Sequence, residues 1–362
     1  MIVNKLNNKI IDEDIGSILS EELPWEMFRS ATVLVTGASG MIPSYVVYTL
    51  LGLNAIKNLD IKVLALVRNE AKAASVFGSL LERNDLELIV HDVTQPITED
   101  NSSPALRNNV DFIIHGASPA RPQQHKAAPV DTIRANLIGT MNMLDLAVRK
   151  QAKGFVLMSS SEVYGSVSNV DTIRENAYGY LDPLNPRSCY SEGKRAAETL
   201  CATYKAQFGV RCVIPRFAHI YGPGMSLSDG RVQADFAANA VRGENIIMKS
   251  DGSAQRAYTY VIDAVSGMFY ALLKGKDIAY NIADSGSIIS IRQLAEAFMA
   301  TRPEKRLSLI TEVDKDAAAK YNPPKFIGLD NSKITALGWA PKVSVAEGTK
   351  RMVDSFDATN QK

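Results

Sequence analysis

Apolar residues in this chain fall into short unbroken runs separated by longer stretches with helical spacing. Thr32–Val35, Lys62–Val67, Leu86–Val90, Val110–His115, Phe155–Ser159 and Cys212–Arg216 are such runs, rich in valine, leucine and isoleucine. Runs that stay apolar instead of alternating suit strands buried on both faces, and their alternation with helical stretches predicts βαβ units and a parallel sheet. From about Gly222 the pattern loosens into Gly/Ser/Asp-rich turns (GPGMSLSDGR, KSDGSAQR), then a helical stretch over Ile291–Thr301 and the closing LGWAPKVSVAEGTKRMVDSF. The chain therefore reads as α/β, a doubly wound parallel sheet with a smaller C-terminal α/β domain. The boundaries are an extension over 1–30, the sheet domain over 31–216, and 217–362 mainly in the second domain, with some chain returning to the sheet. Within the extension, IDEDIGSILSEEL predicts an amphipathic helix laid on the sheet domain.

Composition narrows the function classes. A chain of 362 residues with a formal charge of +1 has room for two domains and no electrostatic pull toward DNA or an anionic membrane. The N-terminal MIVNKLNNKIIDEDIG lacks a signal-peptide core, and no stretch approaches the length of a membrane span, so a soluble, cytoplasmic protein is expected. Cys189, Cys201 and Cys212 are odd in number and form no C-x-x-C pair, which suits a reducing compartment and small core residues. The histidines, His91, His115, His125 and His219, are scattered, and no metal site is expected.

Candidate chemistry begins after the first run, at TGASGMIP. Gly37 and Gly40 allow a sharp turn and the approach of a pyrophosphate to backbone N–H groups at a helix N-terminus, as in a Rossmann dinucleotide site. The third glycine of such turns serves helix–strand packing, and here Pro43 occupies its place. Proline is tolerated in a first helical turn, so the substitution takes packing room and leaves the phosphate contacts. Ser39, Met41 and Ile42 complete this cofactor segment. The second strand runs into Arg68, where an acidic residue would bind the ribose hydroxyls of NAD; an arginine there pairs with the 2′-phosphate of NADP or is simply solvated. Asp92, followed by Val93, ends the third strand, placed either to accept from an adenine amino group or to cap the next element.

Further along, MSSSEVYG closes a strand and CYSEGKRAAETL opens a helix. Tyr190 and Lys194 stand four apart, on one helix face. An ammonium beside a phenol favours the phenolate, lowering its pKa toward neutrality, and such a tyrosine can take a proton from a sugar hydroxyl while hydride leaves the same carbon for a nicotinamide. Ser160 would orient that hydroxyl. Glu162, an acid in an apolar strand-to-turn segment, is costly unless used or paired, and is read as functional. Trp339 is expected to pack the second domain, Arg187 and Arg231 to be surface arginines unless they bind phosphates, and His125 to be a loop residue and not a catalyst.

From Thr32 to Phe356 these motifs resemble the extended short-chain dehydrogenases/reductases that act on nucleotide sugars, most closely the UDP-glucuronate decarboxylases. HGASPARPQQHKAAPVDTIRANLIGTMNML, SSSEVYG, CYSEGKRAAET, DGRVQADF and SDGSAQRAYTYVIDAV carry the likeness. The resemblance implies Ser160, Tyr190 and Lys194 as a catalytic triad, with Ser161 and Glu162 beside the sugar. It also implies Ala117 at the cofactor, and Ser118, Pro119, His219, Arg231, Arg256 and Tyr258 at the substrate, Arg256 near the pyrophosphate or the C5 carboxylate. The implied reaction oxidises sugar C4, loses carbon dioxide from the β-keto acid and returns the hydride, with bound NAD unchanged overall, in polysaccharide or glycoconjugate synthesis. A 4,6-dehydratase of the family carries an acidic residue where Ser161 stands, and serine is a poor general acid. The pattern departs from the family at His219, usually asparagine, at Gly224, an arginine in decarboxylases, and at Arg68, where an NADP preference would suit a cofactor-releasing 4-ketosugar reductase better than an enzyme recycling trapped NAD. Epimerase, dehydratase and 4-ketoreductase activities on other nucleotide sugars stay open, as does a catalytically silent dinucleotide-binding module. The family's habit of pairing through two helices implies a homodimer through those near Thr132–Lys150 and Tyr190–Phe208.

Overall fold

The computed structural model describes residues 8–98, 103–167, 172–312 and 328–360. Its centre is an eight-stranded sheet in which every pairing is parallel. Across the sheet the strands run Ala279–Ile282, Cys212–Phe217, Gly154–Leu157, Phe112–His115, Thr32–Thr36, Lys62–Val67 and Leu86–Val90. The expected strands are present, shifted by a residue or two at their ends. The largest departure is Phe155–Ser159, which divides into Gly154–Leu157 and Ser159–Ser160. The break falls at Met158, whose carbonyl leaves the ladder to accept the Lys194 ammonium at 2.8 Å.

The chain order reverses direction between Thr32–Thr36 and Phe112–His115, and crevices that receive ligands open at the carboxyl ends of strands around such a point. Register places Thr36 beside Leu66 on one side and His115 on the other, with His115 beside Leu157. The residues that follow these four positions are the candidates singled out above.

On one face of the sheet the helices Pro129–Arg149 and Cys189–Phe208 pack against each other, and on the other lies Met41–Lys57, buried over most of its length. The helix Lys9–Leu19 packs on Met41–Lys57, Val261–Lys274 and Val345–Asn360, so it lies on the sheet domain's helices as an outer layer. Its centre is Asp14, fully buried, whose Oδ2 accepts from the Tyr45 and Tyr260 hydroxyls at 2.9 Å each. Oδ1 accepts from Arg351 Nη2 at 2.8 Å and Nε at 3.0 Å. Burial pushes the Asp14 carboxyl up, and Arg351 pulls it back toward the charged form.

Beyond the Cys212–Phe217 strand, short ladders join Ile220–Tyr221 to Thr259–Tyr260, Gln255–Ala257 to Ile288–Ser290, and Ile246–Met248 to Leu309–Thr311. The helix Ile291–Ala300 opens with a capping box, Ser290 and Gln293 bonding reciprocally, and ends one residue before its predicted limit. Trp339 is buried and its Nε1 donates to the Asp263 carbonyl and Ser266 Oγ, both at 3.1 Å, a packing role. No helix among the described residues is long and apolar enough to cross a membrane.

Candidate active site

The turn after the first strand has the geometry of a phosphate cradle. Gly37 has φ +65°, and a Cβ there would lie 2.8 Å from Ala117 Cα, so only glycine fits beside the neighbouring backbone. Gly40 donates to the Gly37 carbonyl at 2.8 Å and stands at the N-cap of Met41–Lys57 with no side chain over the first turn. Ser39, Met41 and Ile42 border this helix end, where N–H groups lack intrahelical partners and the helix dipole favours an anion. The cradle thus fits a dinucleotide pyrophosphate. Pro43 sits in the first turn against Gly116, where a Cβ would meet Pro43 Cγ at 2.7 Å and Met158 Sδ at 2.9 Å. The room that Pro43 takes is returned by a glycine on the adjacent strand end. Gly116→Ala is therefore expected to lower stability by about 1–3 kcal/mol, and Pro43→Gly in the same chain to recover part of it, read by urea unfolding of the single and double variants.

Flanking the cradle, Arg68 is exposed and its Nη1 lies 4.0 Å from Asp92 Oδ2. Asp92 Oδ1 accepts from the Thr94 N–H and hydroxyl, both at 2.9 Å, so Asp92 caps the following turn while its other oxygen faces Arg68. The arginine at this strand end is accordingly already opposed by a carboxylate. Val93 is buried, lying where a Cβ on Gly139 would reach its Cγ2 at 2.8 Å, and its carbonyl accepts from Asn142 at 2.8 Å. Ala117 N donates to Thr36 Oγ1, and that hydroxyl is hydrogen-bonded to His115 Nδ1 at 2.7 Å. Burial holds His115 neutral, its pKa lowered to about 3. Ser118 Oγ donates to Asn136 at 2.9 Å, and the Pro119 carbonyl faces His125.

The helix Cys189–Phe208 carries Tyr190 and Lys194 on the face turned to Ser160. It is fixed to the strand beneath by Glu198, which binds Arg216 through two bonds of 3.0 and 2.6 Å and accepts from Ser159 at 2.6 Å. Lys194 Nζ lies 5.9 Å from the Tyr190 ring centroid. The expectation of a phenol tuned down by this lysine is corrected here. Burial, reinforced by Glu162, pushes Tyr190 up to about 12, against Ser160 and Arg231, which favour the phenolate. Desolvation brings Lys194 down to about 8, which keeps it mostly protonated at neutral pH. Glu162 is exposed, with Oε2 accepting from Ser191 at 2.8 Å, so its presence is not a burial cost, though its charge still faces Tyr190. Ser161 is buried in the turn beside it.

Across the cleft His219 adopts φ +47°, a conformation that asparagine and histidine tolerate better than most residues, and it packs edge-on to Tyr258 at 5.7 Å. Burial first, then Arg256 and Arg231, bring its pKa down to about 3, so it offers hydrogen bonds without charge. Arg231 forks onto Asp229 at 2.5 and 3.1 Å, and Arg256 is buried with Nη1 donating to the Gln255 carbonyl at 2.6 Å. Gly224 has φ +85°, where an arginine would be strained.

A second residue, besides Glu162, departs from its expected setting. His125, read as an ordinary loop residue, is buried and stacks on Tyr190 with centroids 4.4 Å apart and planes 13° apart. No spacing in the sequence signals it, because the two residues meet only when separate segments fold together.

The model of the NAD dependent epimerase/dehydratase family matches residues 33–283. UDP-glucuronic acid decarboxylase 6 of Arabidopsis thaliana is 34% identical over 325 residues, 90% of this chain and 88% of that one. UDP-glucuronic acid decarboxylase 1 of Danio rerio is 32% identical over 328 residues, covering 90% of this chain and 72% of its own. Among solved structures, UDP-glucose 4-epimerase from Thermotoga maritima superposes with a TM-score of 0.76 at 24% identity, over 91% of this chain and 100% of that one.

Proposed function

The chain belongs to the NAD-dependent epimerase/dehydratase family, and from that premise we propose that it decarboxylates UDP-glucuronate to UDP-xylose or the corresponding 4-keto pentose. The observation that carries the substrate is the likeness, over nine-tenths of the chain, to UDP-glucuronic acid decarboxylases. Ser161, buried beside Ser160 where a dehydratase needs a proton donor, argues the same way.

NAD, when bound, supplies the acceptor and later the donor of the C4 hydride and adds positive charge to the site. Gly37, Gly40 and the first turn of Met41–Lys57 hold its pyrophosphate, and Ser39, Met41, Ile42, Val93 and Ala117 border it. Arg68, opposed by Asp92, favours NAD over NADP, because its charge is partly answered before a 2′-phosphate arrives. Tyr190 Oη takes the proton of the sugar C4 hydroxyl and Ser160 Oγ orients that hydroxyl, Ser160 and Arg231 favouring the phenolate, with the Lys194 ammonium held beside the ring by the Met158 carbonyl. The resulting C4 ketone is β to the C5 carboxylate, so loss of carbon dioxide leaves an enolate that takes a proton at C5. Arg231, Arg256 and His219 line the anionic end of the substrate, with Ser118, Pro119 and Tyr258 along the sugar and Glu162 beside Tyr190. Incubation with UDP-glucuronate, followed by mass spectrometry, is expected to show loss of carbon dioxide and a UDP-pentose. An untouched substrate would discard the decarboxylase reading.

The protein is further read as a cytoplasmic homodimer serving polysaccharide or glycoconjugate synthesis. Its three cysteines are free and buried, as suits a reducing compartment. Val130, Ile133, Leu137 and Met141 form an exposed apolar stripe at three- and four-residue spacing on Pro129–Arg149, next to Cys189–Phe208, and a second copy would cover it. Leu137→Glu with Met141→Glu is expected to halve the mass measured by sedimentation equilibrium. A monomeric wild type would refute the pairing.

A further inference from the structure

The phosphate cradle is bordered by two segments that are far apart in the chain. Ala117, just past the strand Phe112–His115, lies so close that a Cβ on Gly37 would meet its Cα at 2.8 Å. The turn after Ile220–Tyr221 passes the start of the helix Met41–Lys57, where a Cβ on Gly224 would stand 3.7 Å from Met41 Cγ.

Beyond the cradle these two segments meet each other. Arg121, four residues after Ala117, places its Nε 3.5 Å from Oδ2 of Asp229, five residues after Gly224. The Gln123 amide then fills the space beside Gly230, so that a Cβ on Gly230 would fall 1.3 Å from Gln123 Nε2. Gly230 has φ +83°, and a side chain there would be both strained and in collision. The contacts form a closed strap, running from the cradle through Ala117 to Arg121, across to Asp229, and back through Gly224 to the helix start. The strap rises from the carboxyl ends of the strands, where ligands of such sheets bind.

Its charge suits an anion beneath it. Asp229 is 5% exposed and is also held by Arg231, through Nε at 2.5 Å and Nη2 at 3.1 Å. One carboxylate therefore answers two guanidiniums, and a positive charge is left over at the bridge. The charge of Arg121 also reaches Lys72, in the first turn of the helix Glu70–Phe77, whose pKa is brought down by desolvation and then by Arg121. The strand that ends at the cradle lies between the strand leading to Lys72 and the strand leading to Arg121. Two cations thus flank the place where a pyrophosphate dianion would seat, and that dianion would relieve their repulsion.

Resting on the reading of the cradle as the NAD site, we propose that Arg121 is a cofactor-retaining residue. Its bridge to Asp229 closes the strap over the bound dinucleotide, its charge faces the pyrophosphate, and the strap must open before the cofactor leaves.

The test loads the full chain with NADH, whose fluorescence reports binding, and chases it with excess NAD in a stopped-flow instrument. Arg121→Gln removes both the bridge and the charge and is expected to speed NADH release about tenfold, the change lying mostly in dissociation. Gln123→Ala, which removes the second contact, is expected to speed it about threefold. Raising potassium chloride from about 0.05 to 0.5 M is expected to speed release from the wild type more than from Arg121→Gln, because only the wild type has a bridge to screen. Affinity for UDP, measured by calorimetry on the NADH-loaded proteins, is expected to stay at the wild-type value. An unchanged release rate in variants that melt like the wild type would overturn the proposal. A loss of UDP affinity in place of faster NADH release would also overturn it, by assigning Arg121 to the pyrophosphate of the substrate. A wild type that holds no NADH would sink the reading of the cradle, and the proposal with it. The chase turns over no sugar, so its result is independent of whether UDP-glucuronate is decarboxylated.

Discussion

Replacing Tyr190 with phenylalanine is expected to reduce turnover about a thousandfold while NAD binding stays within about threefold of wild type. The residue is 9% exposed and its ring is packed against His125, so phenylalanine preserves volume and stacking and removes only the hydroxyl. That hydroxyl is the group to which the Ser160 side chain hydrogen-bonds. The cradle at Gly37 and Gly40 lies on another strand end and is untouched by the change. Turnover would be followed by mass spectrometry of the sugar nucleotide, and cofactor binding by fluorescence titration. A variant that retained full activity would place proton transfer on another group.

Asp14→Ala is expected to cost about 3–5 kcal/mol of stability, the range for removing one partner of a buried ion pair. The carboxylate is fully buried and answers four donors, from Tyr45, Tyr260 and twice from Arg351. Without it Arg351, held also by the Ile10 carbonyl and by Glu13, would keep its charge in a half-buried setting, and two buried phenols would lose their acceptor. Tyr45 lies on the helix that begins at the phosphate cradle and Tyr260 at the start of Val261–Lys274, so the loss would reach both sides of the molecule. Urea unfolding compared with wild type would measure it. A change below about 1 kcal/mol would show that the extension contributes little to the fold.

How much of this the residues announce depends on the range of the interaction concerned. The parallel strands were legible because strands buried on both faces must be apolar throughout. Gly37 was legible because a positive φ and a close backbone approach admit only glycine, and Gly40 because a residue without a side chain at a helix start leaves the first N–H groups open. Tyr190 and Lys194 were legible because helical periodicity alone sets their common face. Each rests on a constraint that acts within a few residues.

What tertiary structure alone decided involves residues far apart in the chain. Pro43 is accommodated by Gly116, Asp14 by Arg351, and the Lys194 ammonium by a carbonyl at a strand break. The ionisation of Tyr190 belongs to this class, because pairing with a neighbour was readable from spacing, while desolvation, the larger influence, depends on everything packed around it. Glu162 was expected in an apolar setting and stands exposed, while His125, expected in an open loop, is buried on the phenol. In both cases local composition described the segment and packing between segments set the environment. The sequence by itself thus determined the sheet, the glycine turn and the tyrosine–lysine face through short-range constraints, and only the folded chain decided burial, charge state and the partner stacked on the Tyr190 ring.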